Sequence, residues 1–292
     1  MNSRREFLKT LGLATAGLTL APSLDLFAAK KNWFEISLAE WSLHKTLFKG
    51  DLKNIDFPEY SAKKFGIYGV EYVNQFFKDE AKNMTYLKDL NDRAKSNGVK
   101  NVLIMIDGEG NLGDADEKKR KQAVENHYKW VDAANFLGCG AIRVNAAGQG
   151  TPQEVQKRVV ESLSTLSDYA KKGKINVCVE NHGGISSHGD WLAATLKEVG
   201  KKNCGSLPDF GNFYEYDRYQ GVIDLMPYAK GVSAKTHDFD AQGNDTKVDY
   251  AKMMEIVKNA KYKGYVGIEY EGSRLSEVDG IIASKKLLER FQ

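Results

Sequence analysis

The sequence predicts an α/β protein built as a single (β/α)8 barrel. Short runs rich in β-branched residues alternate with longer segments of helical periodicity, eight of each. Such alternation builds βα units around a parallel sheet, and a chain of 292 residues is long enough for eight of them. A doubly wound open sheet would carry a Gly-rich phosphate turn after its first strand, but the segment A-E-W-S-L-H at residues 39–44 is of a different kind.

The predicted strands are short and apolar, and the predicted helices lie between and after them. The strands cover residues 34–39, 68–73, 101–106, 141–144, 176–179, 205–208, 232–235 and 266–268. The helices are centred on residues 56–65, 80–97, 117–137, 152–172, 190–200, 217–229, 247–260 and 275–291. Apolar residues in 117–137 recur mostly every three or four positions, which is the period of a helix face packed on a sheet. No Pro/Gly/Ser-rich linker divides the chain, so we expect one domain.

Residues 1–29 are interpreted as an export signal and are excluded from the barrel domain, which we assign to residues 30–292. Arg4 and Arg5 stand in the motif S-R-R-E-F-L-K, which a mildly apolar stretch and small residues follow. The motif resembles the bacterial twin-arginine signal. The resemblance implies a periplasmic protein that folds before export, often with its cofactor in place. We expect cleavage near Ala28 or Ala29, with an uncleaved membrane tether as the alternative.

Composition and charge exclude several classes of partner. The formal net charge is +3 without long blocks of like charge, so we do not expect nucleic acid to bind. No apolar run reaches the roughly 18 residues that span a bilayer. The odd set of Cys139, Cys178 and Cys204 lacks a C-x-x-C motif and is interpreted as buried small hydrophobic residues. A small sugar or glycoside is the expected partner, and the oligomeric state stays open.

Four consecutive predicted strands end in side chains that bind metals. Chemistry in a (β/α)8 barrel lies just past the carboxyl ends of the strands. Those positions hold Glu180 after strand five, Asp209 after strand six, His237 after strand seven and Glu269 after strand eight. Each carboxylate alone could be a helix cap or a solvated loop charge, but three at one mouth repel one another unless a cation neutralises them. We therefore predict one divalent metal ion bound by these four residues, with Mn, Mg or Co favoured and Zn possible.

Three motifs around these residues resemble the xylose isomerase-like barrel superfamily of sugar isomerases, epimerases and some lyases. They are E-N-H-G-G at 180–184, P-D-F-G-N at 208–212 and G-I-E-Y-E-G at 267–272. The resemblance covers residues 33–290 and implies the metal-ligand order Glu, Asp, His, Glu, with Glu180 and Glu269 doubling as catalytic acid and base. Many members carry the strand-seven histidine where this chain has Ser233, four residues before His237. The ketose epimerases carry a substrate-binding arginine that has no counterpart in this chain. We therefore do not infer that this protein acts on their substrate.

The predicted metal ligands indicate an enzyme that removes a proton from the carbon beside a sugar carbonyl. Removal of this proton gives an enediolate. The first hypothesis is a metal-dependent isomerase or epimerase of a non-phosphorylated sugar. The second is a lyase or hydratase that acts on 3-keto-glycosides by the same step, and the third is a non-catalytic exported sugar-binding barrel. The side chains expected to bind the substrate are those of His182, Lys235, Arg143, Asn145, Trp41 and Asn212. Lys235 is equally interpretable as neutralising the acidic mouth, and Arg143 as part of an ion pair at its rim.

Replacement of Arg4 and Arg5 by Lys is expected to abolish export and leave a folded precursor in the cytoplasm, because the paired arginines anchor the signal. Cell fractionation followed by immunoblotting checks this. Lys63→Arg combined with Lys64→Arg is the matched control, since it also keeps the charge but lies in the predicted barrel. Normal export of the Arg4/Arg5 variant would contradict the interpretation.

Overall fold

Eight parallel strands form one curled sheet in the computed structural model, which describes residues 32–292. The export-signal prediction for residues 1–29 therefore lies outside the described residues. The strands are β1 (Glu35–Ala39), β2 (Gly69–Val73), β3 (Lys100–Met105), β4 (Ala141–Asn145), β5 (Asn176–Glu180), β6 (Cys204–Leu207), β7 (Val232–Thr236) and β8 (Tyr265–Tyr270). Their order in the sheet is β6-β5-β4-β3-β2-β1-β8-β7. Each predicted strand overlaps an observed one.

Short contacts between β6 and β7 close the sheet into a ring. A parallel bridge joins Asp209 to Ser233. The Ser233 N–H donates to the Pro208 carbonyl (2.9 Å), and the Phe210 N–H donates to the Ser233 carbonyl (3.1 Å). The predicted (β/α)8 barrel is thus confirmed. The same closure brings Asp209 directly beside β7.

Nine α-helices lie among the described residues. They are α1 (His44–Lys49), α2 (Phe57–Tyr60), α3 (Met84–Ser96), α4 (Glu117–Leu137), α5 (Pro152–Lys172), α6 (Gly189–Val199), α7 (Arg218–Leu225), α8 (Tyr250–Asn259) and α9 (Glu277–Glu289). Helix α1, which the sequence analysis did not predict, ends at Gly50 in the left-handed region (φ 84°). Helix α5 begins with a capping box between Thr151 and Glu154.

The apolar core has two parts. The larger part lies between the strands and the surrounding helices. The smaller part consists of strand residues that point into the ring: Ala39, Val73, Leu103, Met105, Ala141, Cys178 and Leu207. All three cysteines are buried and unpaired, as predicted. Within residues 32–292 no helix has both the length and the apolar character needed to cross a membrane.

A buried carboxyl group ties the loop after β1 to the end of β2. Glu40 accepts hydrogen bonds from the Asn54 side-chain amide and from the Val73 N–H, each at 2.9 Å. The amide oxygen of Asn54 in turn accepts from the Tyr86 hydroxyl at 2.9 Å. Burial raises the pKa of Glu40 to about 8, although both hydrogen bonds oppose the shift. This network fixes the backbone that carries the next residue, Trp41.

Glu40→Ala is expected to lower the free energy of unfolding by about 2–4 kcal/mol, because it leaves the Val73 N–H and the Asn54 amide buried without an acceptor. Urea denaturation at pH 7 measures the change. Glu125→Ala, at an exposed position of α4, should change stability by less than about 0.5 kcal/mol. Equal losses in the two variants would show that the Glu40 network contributes nothing.

Candidate metal centre

Three buried carboxylates meet at the mouth of the barrel, where the strands have their carboxyl ends. Glu180 is the last residue of β5, Asp209 follows β6, and Glu269 lies near the end of β8. One oxygen atom from each lies within 4.8 Å of the others. Alternation along the strands turns all three side chains inward. The structure therefore brings together three of the four predicted metal ligands.

The Ser233 hydroxyl lies between two of these carboxylates. Its Oγ is 2.7 Å from Asp209 Oδ2 and 2.9 Å from Glu269 Oε2. A hydroxyl has a single hydrogen and can donate it to only one acceptor. The carboxylates of Asp209 and Glu269 therefore need either a proton that they share or a cation nearby. The sequence analysis placed Ser233 at the position on β7 where many members of the resembling family carry a histidine.

Lys235 places a positive group in the same cluster. Its Nζ donates to Asn212 Oδ1 at 3.1 Å. It also lies 3.3 Å from Glu271 Oε2, 3.8 Å from Glu269 Oε1 and 4.0 Å from Asp209 Oδ2. Burial alone would lower the pKa of Lys235, but these carboxylates outweigh it and hold the pKa above its ordinary value. Lys235 therefore stays charged and offsets part of the negative charge.

Arg143 neutralises the opposite side of the mouth. Its Nη1 donates to Asp107 Oδ1 at 2.7 Å, and Asn145 Nδ2 donates to the same oxygen at 2.7 Å. Its Nε lies 2.8 Å from Glu180 Oε2, but the N–H is not aimed at that oxygen, so the contact is electrostatic rather than a hydrogen bond. Burial raises the pKa of Glu180 to about 7, although Arg143 opposes the shift. Glu180 thus retains one oxygen without a hydrogen-bond partner.

Carboxyl groups outnumber cations at the mouth. The acidic side chains are Glu71, Asp107, Glu180, Asp209, Glu269 and Glu271, against Arg143 and Lys235. Burial raises the pKa values of Asp209 and Glu269 against the opposing charge of Lys235. The excess of carboxyl groups over Arg143 and Lys235 leaves the site short of positive charge. Three converging carboxylates and an unpartnered oxygen of Glu180 fit a divalent cation with oxygen ligands.

Glu71 lies deeper in the ring and was not predicted as a ligand. Ser37 donates to its Oε1 at 2.6 Å, and its Oε2 is buried without a partner. Gly267 of β8 makes room for it, since a Cβ atom there would lie 2.5 Å from the Glu71 carboxylate. Burial raises the pKa of Glu71 to about 7, partly offset by the Ser37 hydrogen bond. Glu71 therefore adds negative charge to the floor of the site mainly above about pH 7.

His237 lies outside the group of three carboxylates. It follows the last residue of β7, and its backbone N–H donates to Asp245 Oδ2 at 2.6 Å. Its imidazole is half-buried, and Nδ1 has no hydrogen-bond partner among the described residues. The role of His237 as the fourth metal ligand therefore stays a prediction. His182, also predicted at the site, is exposed at the rim, where its backbone N–H donates to Ser186 Oγ.

The remaining predicted substrate residues surround the mouth. Asn212 Nδ2 donates to Glu180 Oε1 at 3.0 Å. Trp41 Nε1 donates to Glu271 Oε1 at 2.6 Å. Burial would raise the pKa of Glu271, but Lys235 and this hydrogen bond outweigh it and lower that pKa. Glu271 is thus a charged link between the aromatic side of the mouth and the acidic cluster.

The sequence analysis missed Asp107, although the signal for it was present. Asp107 comes just after β3, and the rule that residues past strand ends face the mouth applies there as it does to β5 and β8. It also missed the exposed Tyr214, whose hydroxyl is 3.4 Å from Asn212 Oδ1. Tyr214 lies in the loop after β6, where no sequence period indicates which way a side chain points.

Comparisons with known proteins assign the chain to a family. The model of the Xylose isomerase-like TIM barrel family matches residues 60–291. No curated protein sequence matches the chain. Three similar crystal structures are those of the IolI protein with bound zinc, of 3-keto-D-glucoside 4-epimerase from E. coli in the apo form, and of the probable 3-DHS dehydratase AsbF from Bacillus anthracis.

These structural similarities extend over nearly the whole barrel. The TM-scores are 0.71, 0.67 and 0.66, with 14%, 16% and 16% sequence identity, in the same order. Each alignment covers 88% of this chain and 98%, 99% and 99% of the respective structure. At such identity the structures establish the fold alone, whereas the family model covers most of the chain. The chain belongs to the Xylose isomerase-like TIM barrel family.

Proposed function

We propose that the protein is a divalent-metal-dependent sugar isomerase or epimerase that removes a proton from the carbon beside a carbonyl group. The observation that carries this proposal is the buried group of Glu180, Asp209 and Glu269, which is short of positive charge. The resemblance to an enzyme that epimerises a 3-keto-D-glucoside supports it, because epimerisation beside a ketone begins with such a proton transfer. Mn, Mg and Co fit the oxygen donors best, and the zinc bound to IolI keeps Zn among the candidates.

Glu180, Asp209 and Glu269 would hold the metal ion, with His237 as the proposed fourth ligand. When bound, a divalent metal supplies Lewis-acid polarisation of the substrate oxygens. Lys235 and Arg143 are buried and charged, and they stabilise negative charge that develops on an oxygen between them. Asn212 and Asn145 offer amide groups that orient hydroxyls of the sugar.

Glu180 and Glu269 are the proposed proton-transfer groups. They lie on β5 and β8 and so approach a ligand in the mouth from different sides. A carboxylate with a pKa near 7, such as Glu180, is a stronger base than an exposed glutamate and still loses its proton near neutral pH. One group takes the proton as a carboxylate, and the other, which starts protonated, donates its own proton to the neighbouring carbon in an isomerase or to the opposite face in an epimerase.

The charges at the mouth favour a sugar without a phosphate group. The two buried cations, Arg143 and Lys235, already contact carboxylates on several sides. A phosphate would add negative charge to a cluster that has too much of it already. A neutral sugar or glycoside adds no negative charge to the cluster. Export to the periplasm, which the first 29 residues suggest, fits such a substrate.

A lyase is the second candidate, since the resembling AsbF is a probable dehydratase. Removal of the same proton next to a carbonyl generates an enolate, which expels a leaving group from the adjacent carbon. The residues and the first step are then identical, and only the fate of the enolate differs. Product analysis with a 3-keto-glycoside separates the two outcomes, because elimination releases the aglycone and epimerisation keeps it.

Glu180→Gln and Glu269→Gln are expected to slow hydrogen exchange at the carbon beside the carbonyl by about 10²–10⁴-fold, because glutamine keeps the shape but cannot take a proton. NMR in heavy water, with metal-loaded protein and methyl 3-keto-D-glucopyranoside, measures the exchange. Glu125→Gln, exposed on α4, is the control. If both variants keep the wild-type rate, another group removes the proton. If the wild type binds carbonyl sugars but never exchanges a proton, the non-catalytic sugar-binding barrel is correct.

Asp209→Asn is expected to weaken Mn²⁺ binding at least about tenfold, since it removes one charged ligand and keeps the hydrogen bonds that its side-chain oxygen accepts. Titration calorimetry measures the affinity, and removal of the metal with a chelator should lower Tm by mass action. His237→Ala tests the fourth ligand separately, and unchanged affinity would remove His237 from the metal site. A wild-type protein that neither binds divalent metals nor responds to a chelator would contradict the metal proposal.

A further inference from the structure

Three aromatic side chains, those of Trp41, Phe76 and Phe48, form an aromatic cluster at one side of the mouth. The ring centroids of Trp41 and Phe76 are 6.2 Å apart, and those of Phe76 and Phe48 are 5.0 Å apart. Trp41 and Phe48 meet edge to face at 6.1 Å, so each ring contacts the other two. His44 stacks on Trp41 at 4.8 Å. The aromatic cluster is therefore a built surface rather than a chance exposure of single residues.

The inner side of the aromatic cluster is joined to the acidic side chains. Trp41 and Phe76 both pack against the apolar residues inside the ring of strands. Trp41 Nε1 donates to Glu271, whose other oxygen lies 3.3 Å from the ammonium of Lys235. A ligand held at the three carboxylates is consequently close to Trp41.

The outer side of the aromatic cluster lines a cleft of about 440 Å³. Phe48 and Phe76 line this cleft together with the polar groups of Asn54, Gln75 and Glu80. Phe48 is 61% exposed. Ligand sites characteristically combine aromatic faces with a few polar groups in a cavity of this size.

We propose that this aromatic cluster is a binding subsite for the aglycone of a glycoside whose sugar ring lies in the acidic mouth. The inference rests on the proposed function, since it takes the sugar to be held at the carboxylates. A single sugar ring at the mouth would lie beside Trp41 and Phe76, whereas Phe48 and the cleft extend beyond it. Apolar rings with polar neighbours suit a neutral ring system, either a second sugar or an aromatic group, and do not suit a phosphate.

The test compares the affinities for phenyl and methyl D-glucopyranosides, in both anomeric forms, by titration calorimetry on the metal-loaded protein. The two probes share the sugar ring and differ only in the aglycone. Wild type should bind a phenyl glucoside roughly three- to tenfold more tightly than the methyl glucoside of the same configuration, the usual worth of one aromatic contact. Phe48→Ala should reduce this preference to near one, and Phe48→Tyr should restore it because the aromatic face is kept.

Phe136→Ala is the matched control, because Phe136 is also an exposed phenylalanine but lies near the end of α4, at the opposite end of the barrel. It should keep the wild-type preference. A phenyl preference that survives in Phe48→Ala would overturn the subsite while leaving the proposed function intact, and Tyr214→Ala would then test the other side of the mouth. Failure of wild type to bind any of the glucosides would overturn the glucoside as ligand and the subsite with it.

Discussion

The burial of several carboxylates at one end of a closed ring of strands is the constraint on which the rest of the site depends. Taking an ionised carboxylate out of water costs several kcal/mol unless a partner compensates it. The barrel cannot separate the acidic groups, because the closure between β6 and β7 brings Asp209 and Ser233 together through backbone hydrogen bonds. Positive charge must therefore come to the carboxylates. Lys235 and Arg143 supply part of it, and the remaining deficit is what makes the site a candidate metal centre.

The two buried cations divide the acidic groups into two sets with different properties. Arg143 lies against Asp107 and Glu180, whereas Lys235 lies among Asp209, Glu269 and Glu271. Ser233 bridges two carboxylates within the second set. Glu180 Oε2 accepts no hydrogen bond and contacts the Arg143 guanidinium at 2.8 Å. An oxygen that accepts no hydrogen bond is available to take a proton, while Asp209, whose Oδ1 accepts two backbone N–H groups, is suited to hold a fixed position.

The sequence predicted the strands and the mouth because both follow from short-range rules. Strands bury apolar runs, side chains alternate, and parallel strands end at one edge. These rules identified Glu180, Asp209 and Glu269 as neighbours. The same alternation turns Ser233, Lys235 and His237 toward the axis, so it cannot say which of them lies at the depth of the carboxylates. That depth depends on the stagger of β7 against β6 and β8, where Lys235 pairs with Glu269, and no local pattern encodes it.

The elements proposed to perform the chemistry and those proposed to contact the rest of a ligand come from different parts of the chain. The three central carboxylates, Arg143 and Lys235 lie on or just after β4 to β8, whose register is set by backbone pairing. The aromatic cluster comes from the loops after β1 and β2 and from α1, and Glu40 fixes the first of these loops by bonds to Val73 and Asn54. This loop is also bonded to β8, because the Ser42 hydroxyl donates to the Ile268 carbonyl and accepts from the Tyr270 N–H, on either side of Glu269. Glu271 is a second point of contact between the two parts, since it accepts from Trp41 and contacts Lys235. A ligand that contacts Trp41 therefore also affects Glu271, which is the partner of the buried Lys235 ammonium group.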